Sequence, residues 1–168
     1  IDEAILVVGY RKEMVQEAFG DSYEGLPLTY VEQAEQLGTG HAILQCETHV
    51  AGPFIAMNGD DLYAPVDLQK LANGTNAALA KRVDNPRLYG VLEVDGEGRV
   101  KRLVEKPKEP ASDLASVGAY ALTPEVFDVL RATHPSERGE VEITCAIQTL
   151  AERGAFRVVE MEDYWLPI

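Results

Sequence analysis

The chain has 168 residues, of which 15 are basic and 28 acidic, so its formal net charge at pH 7 is −13. A surface this rich in carboxylates repels nucleic-acid phosphates, and the composition therefore argues against a nucleic-acid partner. No apolar run approaches the roughly 20 residues of a membrane span, and residues 1–4 lack the basic start of a signal peptide, so we predict a cytoplasmic protein with no membrane partner.

Strands and helices are predicted to alternate in the first half of the chain. Continuous apolar runs indicate strands covered on both faces, and apolar residues spaced three and four apart indicate helices. Strands are expected over 3–9, 28–32 and 53–58, and helices over 11–19 and 40–50. This order is typical of a parallel sheet with helices on both faces.

The second half is richer in strands, and Asp95-Gly96 is a hairpin signal between two of them. Strands are expected over 76–83, 88–94, 99–104, 115–122 and 156–161, and helices over 124–132 and 143–153. We therefore predict one α/β domain, a Rossmann-like, mostly parallel sheet with helices on both faces plus an antiparallel insertion. Both chain ends lie in apolar segments, whereas complete domains usually begin and end at the surface, so we expect a fragment.

The segment 33–42 lies between a predicted strand and a predicted helix and reads Gln-Ala-Glu-Gln-Leu-Gly-Thr-Gly-His-Ala. Glycines let a ligand approach the backbone, and a helix start offers free N–H groups. The Gln33 amide can both donate to and accept from the edge of a nucleobase. The segment therefore indicates a nucleotide contact, with a plain glycine turn as the alternative.

Two further polar segments follow predicted strands. Asn58-Gly59-Asp60-Asp61 stands at the carboxyl end of a buried strand, where open α/β sheets bind ligands, so Asp60 is placed to hold a hydrated Mg²⁺. An ordinary turn or helix cap is the alternative. Glu105 and Lys106, just before Pro107, are expected on opposite faces of a strand end, where they suit sugar hydroxyls and a phosphate. A solvated edge strand is the alternative there.

The order of these motifs is more informative than any one of them. Gln-x-x-x-x-Gly-Thr-Gly is followed by Gly-Asp, Tyr-Gly, Glu-Lys-Pro, Val-Gly-x-Tyr, Gly-Glu-x-Glu-Ile-Thr and a late Trp. Nearly the whole chain resembles the sugar nucleotidyltransferase superfamily, which includes glucose-1-phosphate uridylyl- and thymidylyltransferases and the uridylyltransferase half of the bifunctional N-acetylglucosamine-1-phosphate enzyme. The resemblance implies a nucleotide-diphospho-sugar transferase fold, with 1–83 binding nucleotide and 84–168 binding sugar phosphate.

The resemblance also implies roles for individual residues, with Gln33 reading the base and Asp60 holding a catalytic Mg²⁺. The residues implied in nucleotide binding are Gln33, Leu37, Gly38, Thr39 and Asp60. Those implied in sugar phosphate binding are Gly90, Glu105, Lys106, Val117 and Gly118, and the catalytic pair is Asp60 and Lys106. Glu140 and Glu142 are weaker candidates that can simply position the following helix.

The implied reaction transfers a nucleotidyl group from UTP or dTTP to a sugar 1-phosphate and releases pyrophosphate. A homo-oligomer is compatible with the resemblance. Three departures from the family pattern matter. The glycine-rich nucleotide loop is absent from the sequence, Pro167 stands where a second metal-binding Asp is usual, and Cys145 replaces another Asp. We therefore expect the fragment alone to be a poor catalyst. A non-catalytic relative of the same fold and a metal-dependent glycosyltransferase remain alternatives.

Overall fold

The computed structural model describes residues 1–136, 138–154 and 156–167. The described strands are β1 (Ala4–Val8), β2 (Ser22–Tyr23), β3 (Leu26–Glu32), β4 (Phe54–Met57), β5 (Leu62–Tyr63), β6 (Ala77–Arg82), β7 (Gly90–Val94), β8 (Val100–Glu105), β9 (Leu114–Leu122), β10 (Arg157–Glu160) and β11 (Trp165–Leu166). The described helices are α1 (Lys12–Phe19), α2 (Thr39–Leu44), α3 (Pro65–Ala72), α4 (Glu125–Ala132) and α5 (Ile143–Glu152). Within these ranges no helix is long and apolar enough to cross a membrane.

A mixed six-stranded sheet follows the order β10-β6-β9-β7-β8, with β4 also paired to β9. β10 and β6 are parallel, whereas β9 runs antiparallel to β6, β7 and β4. The strands β4, β6 and β10 therefore share one direction, as the alternation with helices predicts, and β9 is inserted between β4 and β6 in the opposite direction. A separate sheet pairs β1 with β3 in parallel and β2 with β3 in antiparallel, and β5 pairs with β11. The α/β class is confirmed.

Two hydrophobic clusters lie on opposite faces of the six-stranded sheet. Helices α4 and α5 supply the fully buried Leu130 and Ile147 to one cluster, and α3 supplies Leu71 to the other. Side chains alternate along β9, so Leu122 enters the first cluster and Ala121 the second. Helices on both faces therefore bury the sheet, as predicted.

Strand β9 changes its edge partner in the middle. Its first half pairs with β7, where Gly90 faces Ser116, and its second half pairs with β4, where Met57 faces Ala119. Gly118 lies between these pairs with φ +76°, and the register against β6 shifts at the same place. This bulge brings the carboxyl end of β4 beside the start of β7.

Two helices differ from the expectations of the sequence, and the two-residue strands β2, β5 and β11 were not predicted either. The helix expected over 40–50 is shorter, because α2 ends at Leu44 and a 3-10 turn follows at Glu47–His49, where Thr, His and Val are weak helix formers. Helix α3 was not predicted, although Pro65 stands in its first turn and Asp67 follows there.

Candidate functional site

The turn after β4 is tied to the bulge of β9. The backbone N–H of Asn58 donates to the carbonyl oxygen of Gly118 over 2.9 Å, and the Asn58 side-chain amide donates to Asp61 Oδ2 over 3.2 Å. A Cβ on residue 118 would lie 2.2 Å from Asn58 Nδ2, so only glycine fits this approach and the positive φ. The sequence-predicted residues Asp60 and Gly118 therefore belong to neighbouring backbone segments.

Tyr63 is a second link between the turn and the bulge. Its buried hydroxyl lies 3.1 Å from Asp61 Oδ2 and 2.8 Å from the carbonyl oxygen of Val117. Burial, and then the nearby Asp61 carboxylate, raise the pKa of Tyr63, so the hydroxyl keeps its proton and donates to these two acceptors in alternation. Asp61 is thereby held in place, and the sequence analysis missed both it and Tyr63.

The Asp60 carboxylate is exposed and makes no hydrogen bond or ion pair with any described residue. Nor do the described residues include a group of three or more His, Cys, Asp or Glu side chains that could hold a metal ion. Magnesium sites often use one or two carboxylates and complete the shell with water and substrate phosphates. A free carboxylate beside a fixed one fits such a site, and Pro167, which is exposed, adds no ligand.

Gln33 follows directly after β3, and its backbone N–H donates to the Val8 carbonyl oxygen at the end of β1. Its side-chain nitrogen lies 3.1 Å from the Gly38 carbonyl oxygen and 2.9 Å from Nδ1 of His41. The amide nitrogen is therefore engaged within the protein, and the amide oxygen has no hydrogen-bond partner among the described residues. A cavity of about 480 Å³ opens beside Gln33, with Tyr10 on its wall.

The glycine-rich segment after Gln33 packs against the segment before α5. The Val141 N–H donates to the Leu37 carbonyl oxygen over 2.7 Å, and a Cβ on residue 38 would lie 2.7 Å from the Val141 carbonyl oxygen. The Thr39 hydroxyl accepts from the Ile143 N–H, so this side chain satisfies a free donor in the first turn of α5. Leu37, Gly38 and Thr39 are therefore fixed by the second half of the chain.

Gly90 and Glu105 face each other across the β7–β8 pair. A Cβ on residue 90 would lie 3.2 Å from Glu105 Oε2 and 3.3 Å from Thr144 Cγ2, so glycine leaves room for this carboxylate. Burial and the Glu142 carboxylate raise the pKa of Glu105, while Lys106 and Arg138 oppose that rise. The sequence-predicted pair is therefore brought together in a half-buried site.

Lys106 leaves the strand in a left-handed conformation with φ +42°, immediately before Pro107. Its backbone N–H donates to the Tyr89 carbonyl oxygen over 3.0 Å, which holds this turn against the start of β7. The exposed side chain makes no ion pair with any residue in the described ranges. A non-glycine residue held in this region is strained, and such strain concentrates at functional sites.

Arg138 is a site residue that the sequence analysis missed. Its guanidinium lies 3.9 Å from Glu105, 3.7 Å from Glu140 and 3.4 Å from Glu142. Glu142 is buried and also accepts from the Ser136 hydroxyl. The position of Arg138 next to the Gly-Glu-x-Glu stretch was the signal that could have identified it.

Aromatic side chains support the outer side of this group. The rings of Tyr89 and Trp165 meet edge to face with centroids 5.2 Å apart, and Trp165 pairs with Tyr63 in the β5–β11 ladder. Cys145 lies in α5, where burial and the carboxylates of Glu142 and Glu105 raise its thiol pKa, so it stays a protonated thiol. The Cys145 side chain therefore places no charge beside Glu105.

Comparisons with known proteins agree on one family. The family described as Nucleotidyl transferase matches residues 1–168. A bifunctional protein GlmU of Methanococcus maripaludis is 38% identical over 98% of this chain and 40% of its own length, and a glucose-1-phosphate thymidylyltransferase of Streptomyces antibioticus is 40% identical over 98% and 49%. A solved UDP-glucose pyrophosphorylase complexed with UDP-glucose is 28% identical over 96% of this chain and 73% of its own, with a TM-score of 0.86. The chain thus spans well under two thirds of these two curated relatives.

Proposed function

This chain belongs to the nucleotidyl transferase family of sugar-1-phosphate nucleotidyltransferases, and we propose that it carries the base-reading, metal-binding and sugar-phosphate-binding residues of an enzyme that joins UTP or dTTP to a sugar 1-phosphate. The products are a nucleotide sugar and pyrophosphate. The named activities of its relatives include both uridylyl and thymidylyl transfer. UTP is favoured here because the Gln-Leu-Gly-Thr-Gly-His-Ala stretch is closer to the uridylyl pattern.

Gln33 is proposed to read the base at the cavity beside β1 and β3. Its amide oxygen is free to accept from the N3–H that uracil and thymine share. Leu37, Gly38 and Thr39 complete this side of the site, and their backbone is held by the segment that precedes α5. The base is therefore bound by fixed groups that need little rearrangement.

Asp60 is proposed to hold a Mg²⁺ together with triphosphate oxygens, and Asp61 holds the turn in place. When bound, the metal supplies positive charge between the two anionic substrates. Two unit charges of like sign 4 Å apart repel by about 4 kcal/mol at an effective dielectric of 20. Within a chain of net charge −13, that repulsion must be offset locally.

The sugar phosphate is proposed to bind where β7, β8 and β9 meet. Glu105 accepts hydrogen bonds from sugar hydroxyls, and Gly90, Val117 and Gly118 line the space with backbone atoms. Lys106, whose ammonium makes no ion pair within the described part of the chain, faces the phosphate. Glu105 thus orients the sugar through its hydroxyls, and Lys106 orients the phosphate at the other end of the ligand.

The reaction proposed is a single in-line displacement. An oxygen of the sugar 1-phosphate forms a bond to the α-phosphorus while the bond to the bridging oxygen breaks, and pyrophosphate leaves with that electron pair. Catalysis then depends on alignment and charge neutralisation. The observation that carries the proposal is the bulge at Gly118, because it ties the Asp60 turn to Val117 and, through the Ser116–Gly90 pair, to Glu105.

A pyrophosphate-release assay tests the proposal on the whole protein, with UTP or dTTP and several sugar 1-phosphates, beside this chain alone. We expect turnover by the whole protein and its loss in Asp60→Asn, with Asp84→Asn as the control because Asp84 is an exposed acid outside the site. Normal turnover by Asp60→Asn would remove Asp60 from the site.

The same assay separates the alternatives. No release with any substrate pair favours a non-catalytic relative, and sugar transfer from a nucleotide sugar without pyrophosphate release favours a glycosyltransferase. The dependence on Mg²⁺, the homo-oligomer, the cytoplasmic location and the low activity of this chain alone stay predictions.

A further inference from the structure

His41 lies between two glutamine side chains in the first turn of α2. Its Nδ1 is 2.9 Å from Gln33 Nε2, and its Nε2 is 3.1 Å from Gln45 Nε2. We propose that His41 is a positioning residue that fixes the orientation of the Gln33 amide and thereby selects uracil and thymine over cytosine. The inference rests on the proposed function, because it assigns a cause to the base preference of the same site.

The hydrogen bonds of Gln33 decide the orientation of its amide. The Gly38 carbonyl oxygen can only accept, so the NH₂ end of Gln33 must face it, at 3.1 Å. The second amide hydrogen then points to Nδ1 of His41, which must be the unprotonated nitrogen of a neutral ring. Both donors are used inside the protein, and the amide oxygen is presented to the ligand.

Gln45 approaches the ring from the other side. Its side-chain nitrogen lies 3.1 Å from Nε2 of His41 and donates to the His41 carbonyl oxygen over 3.2 Å, so its NH₂ end is fixed by the same rule. A neutral imidazole accepts at only one of its two nitrogens. The contact with Gln33 is the shorter of the two ring contacts, at 2.9 Å, so we assign the acceptor to Nδ1 and the proton to Nε2.

The amide oxygen of Gln33 distinguishes bases at one edge. Uracil and thymine carry a donor at N3, whereas cytosine carries an acceptor there. A fixed amide oxygen accepts a hydrogen bond from N3–H of uracil or thymine, but it faces the lone pair on N3 of cytosine and is repelled. A site built around one hydrogen-bonding pattern rejects a ligand that presents the opposite pattern, because buried polar groups are left unpaired.

The test compares UTP with CTP, which differ only at this edge, in NMR titrations of the whole protein and three variants. His41→Leu removes the acceptor, and we expect the ratio of the two affinities to fall by about fivefold, the loss of one hydrogen bond. His41→Asn returns an acceptor oxygen near the place of Nδ1 and should restore the ratio. His49→Leu is the control, because His49 is an exposed histidine of the next turn without a contact to Gln33 among the described residues.

The outcomes separate the inference from the proposed function. If the whole wild-type protein binds neither triphosphate, the proposed nucleotide site and this inference are both overturned. If it prefers UTP and His41→Leu keeps the same ratio, the inference alone is overturned. A long-range ¹H–¹⁵N spectrum of the wild-type chain, which needs no variant to fold, should show the Nε2–H tautomer of His41, and an Nδ1–H tautomer contradicts the proposed hydrogen bond to Gln33.

Discussion

Gly118 combines a conformational and a steric requirement at a single position. Its φ of +76° disfavours any side chain, and the space where a Cβ would stand is taken by the Asn58 amide. To make room, the Asn58 side chain would have to give up its bond to Asp61. The residue that shapes the proposed sugar pocket is therefore also the one on which the turn at Asp60 depends.

Replacing Gly118 with Ala should cost more stability than the same change at Gly98. Both residues have φ near +75°, so the backbone strain is shared, but nothing lies within 4 Å of a Cβ on residue 98. We expect the excess at residue 118 to be about 1 kcal/mol, the loss of one hydrogen bond, in urea unfolding. Equal losses in the two variants would show that Asn58 moves aside without cost.

Lys106 allows the strain at the site to be separated from the charge. Lys106→Ala and Lys106→Gly both remove the ammonium, but only glycine relieves the positive φ. We expect the glycine variant to be about 1 kcal/mol more stable than the alanine variant in thermal unfolding, and both to lose turnover in the whole protein to the same extent. A glycine variant that keeps activity would assign the role of residue 106 to its backbone.

At the scale of elements, α3 holds the segment that leads to β11. The Asp67 carboxylate is fully buried and accepts from the backbone N–H groups of Glu162 and Asp163 at 3.1 and 3.0 Å. Lys70 lies 3.5 Å from Asp67 and 2.7 Å from Glu162, so it joins both. The helix that sequence reasoning missed thus positions the strand carrying Trp165.

Burial by itself would raise the pKa of Asp67, but the two N–H donors and Lys70 outweigh it and lower the pKa below its usual value. A carboxylate with a lowered folded pKa stabilises the fold above its unfolded pKa of about 3.9, and that contribution is lost as the pH falls through the folded value. We expect Asp67→Asn to cost about 2 kcal/mol at pH 7, because the amide offers one acceptor where two donors point. The difference from wild type, measured by urea unfolding, should shrink below pH 4, and a constant difference would contradict an ionised Asp67.

The elements predicted from sequence were those whose signal is local. Apolar runs and helical spacing identified strands such as β4 and β9 and the helices α4 and α5. Helix α3 buries only Asp67 and Leu71, whereas the equally short α4 buries four apolar side chains, so α3 offered little apolar periodicity. The bulge at Gly118, the change of partner along β9 and the ion pair between Arg138 and Glu105 come from residues far apart in the chain, and no local pattern encodes them.

At the scale of the whole molecule, the predicted division at residue 83 separates the parts proposed to bind the two ligands. It does not separate two packing units, because the two halves are packed together. Leu37 accepts a hydrogen bond from Val141, and β6 of the first half lies between β9 and β10 of the second. Both hydrophobic clusters draw side chains from both halves. A change in the proposed sugar phosphate site therefore has a direct structural route to the proposed nucleotide segment through residues 138–143.

The excess of acidic residues also acts on the whole molecule, because a net charge of −13 makes the folded chain repel itself more than the expanded one. Salt screens this repulsion, with a Debye length of about 10 Å at 0.1 M and about 3 Å at 1 M. We expect the melting temperature at pH 7 to rise between 10 mM and 0.5 M KCl. A fold held mainly by exposed ion pairs would show a falling melting temperature, because salt weakens such pairs.

The control is the same addition of salt near pH 4.6, the isoelectric point of the sequence, where the net charge vanishes and salt should have little effect. A melting temperature that falls with salt at pH 7 would mean that local pairs, such as those of Arg82 with Asp113 and Glu160, outweigh the net charge.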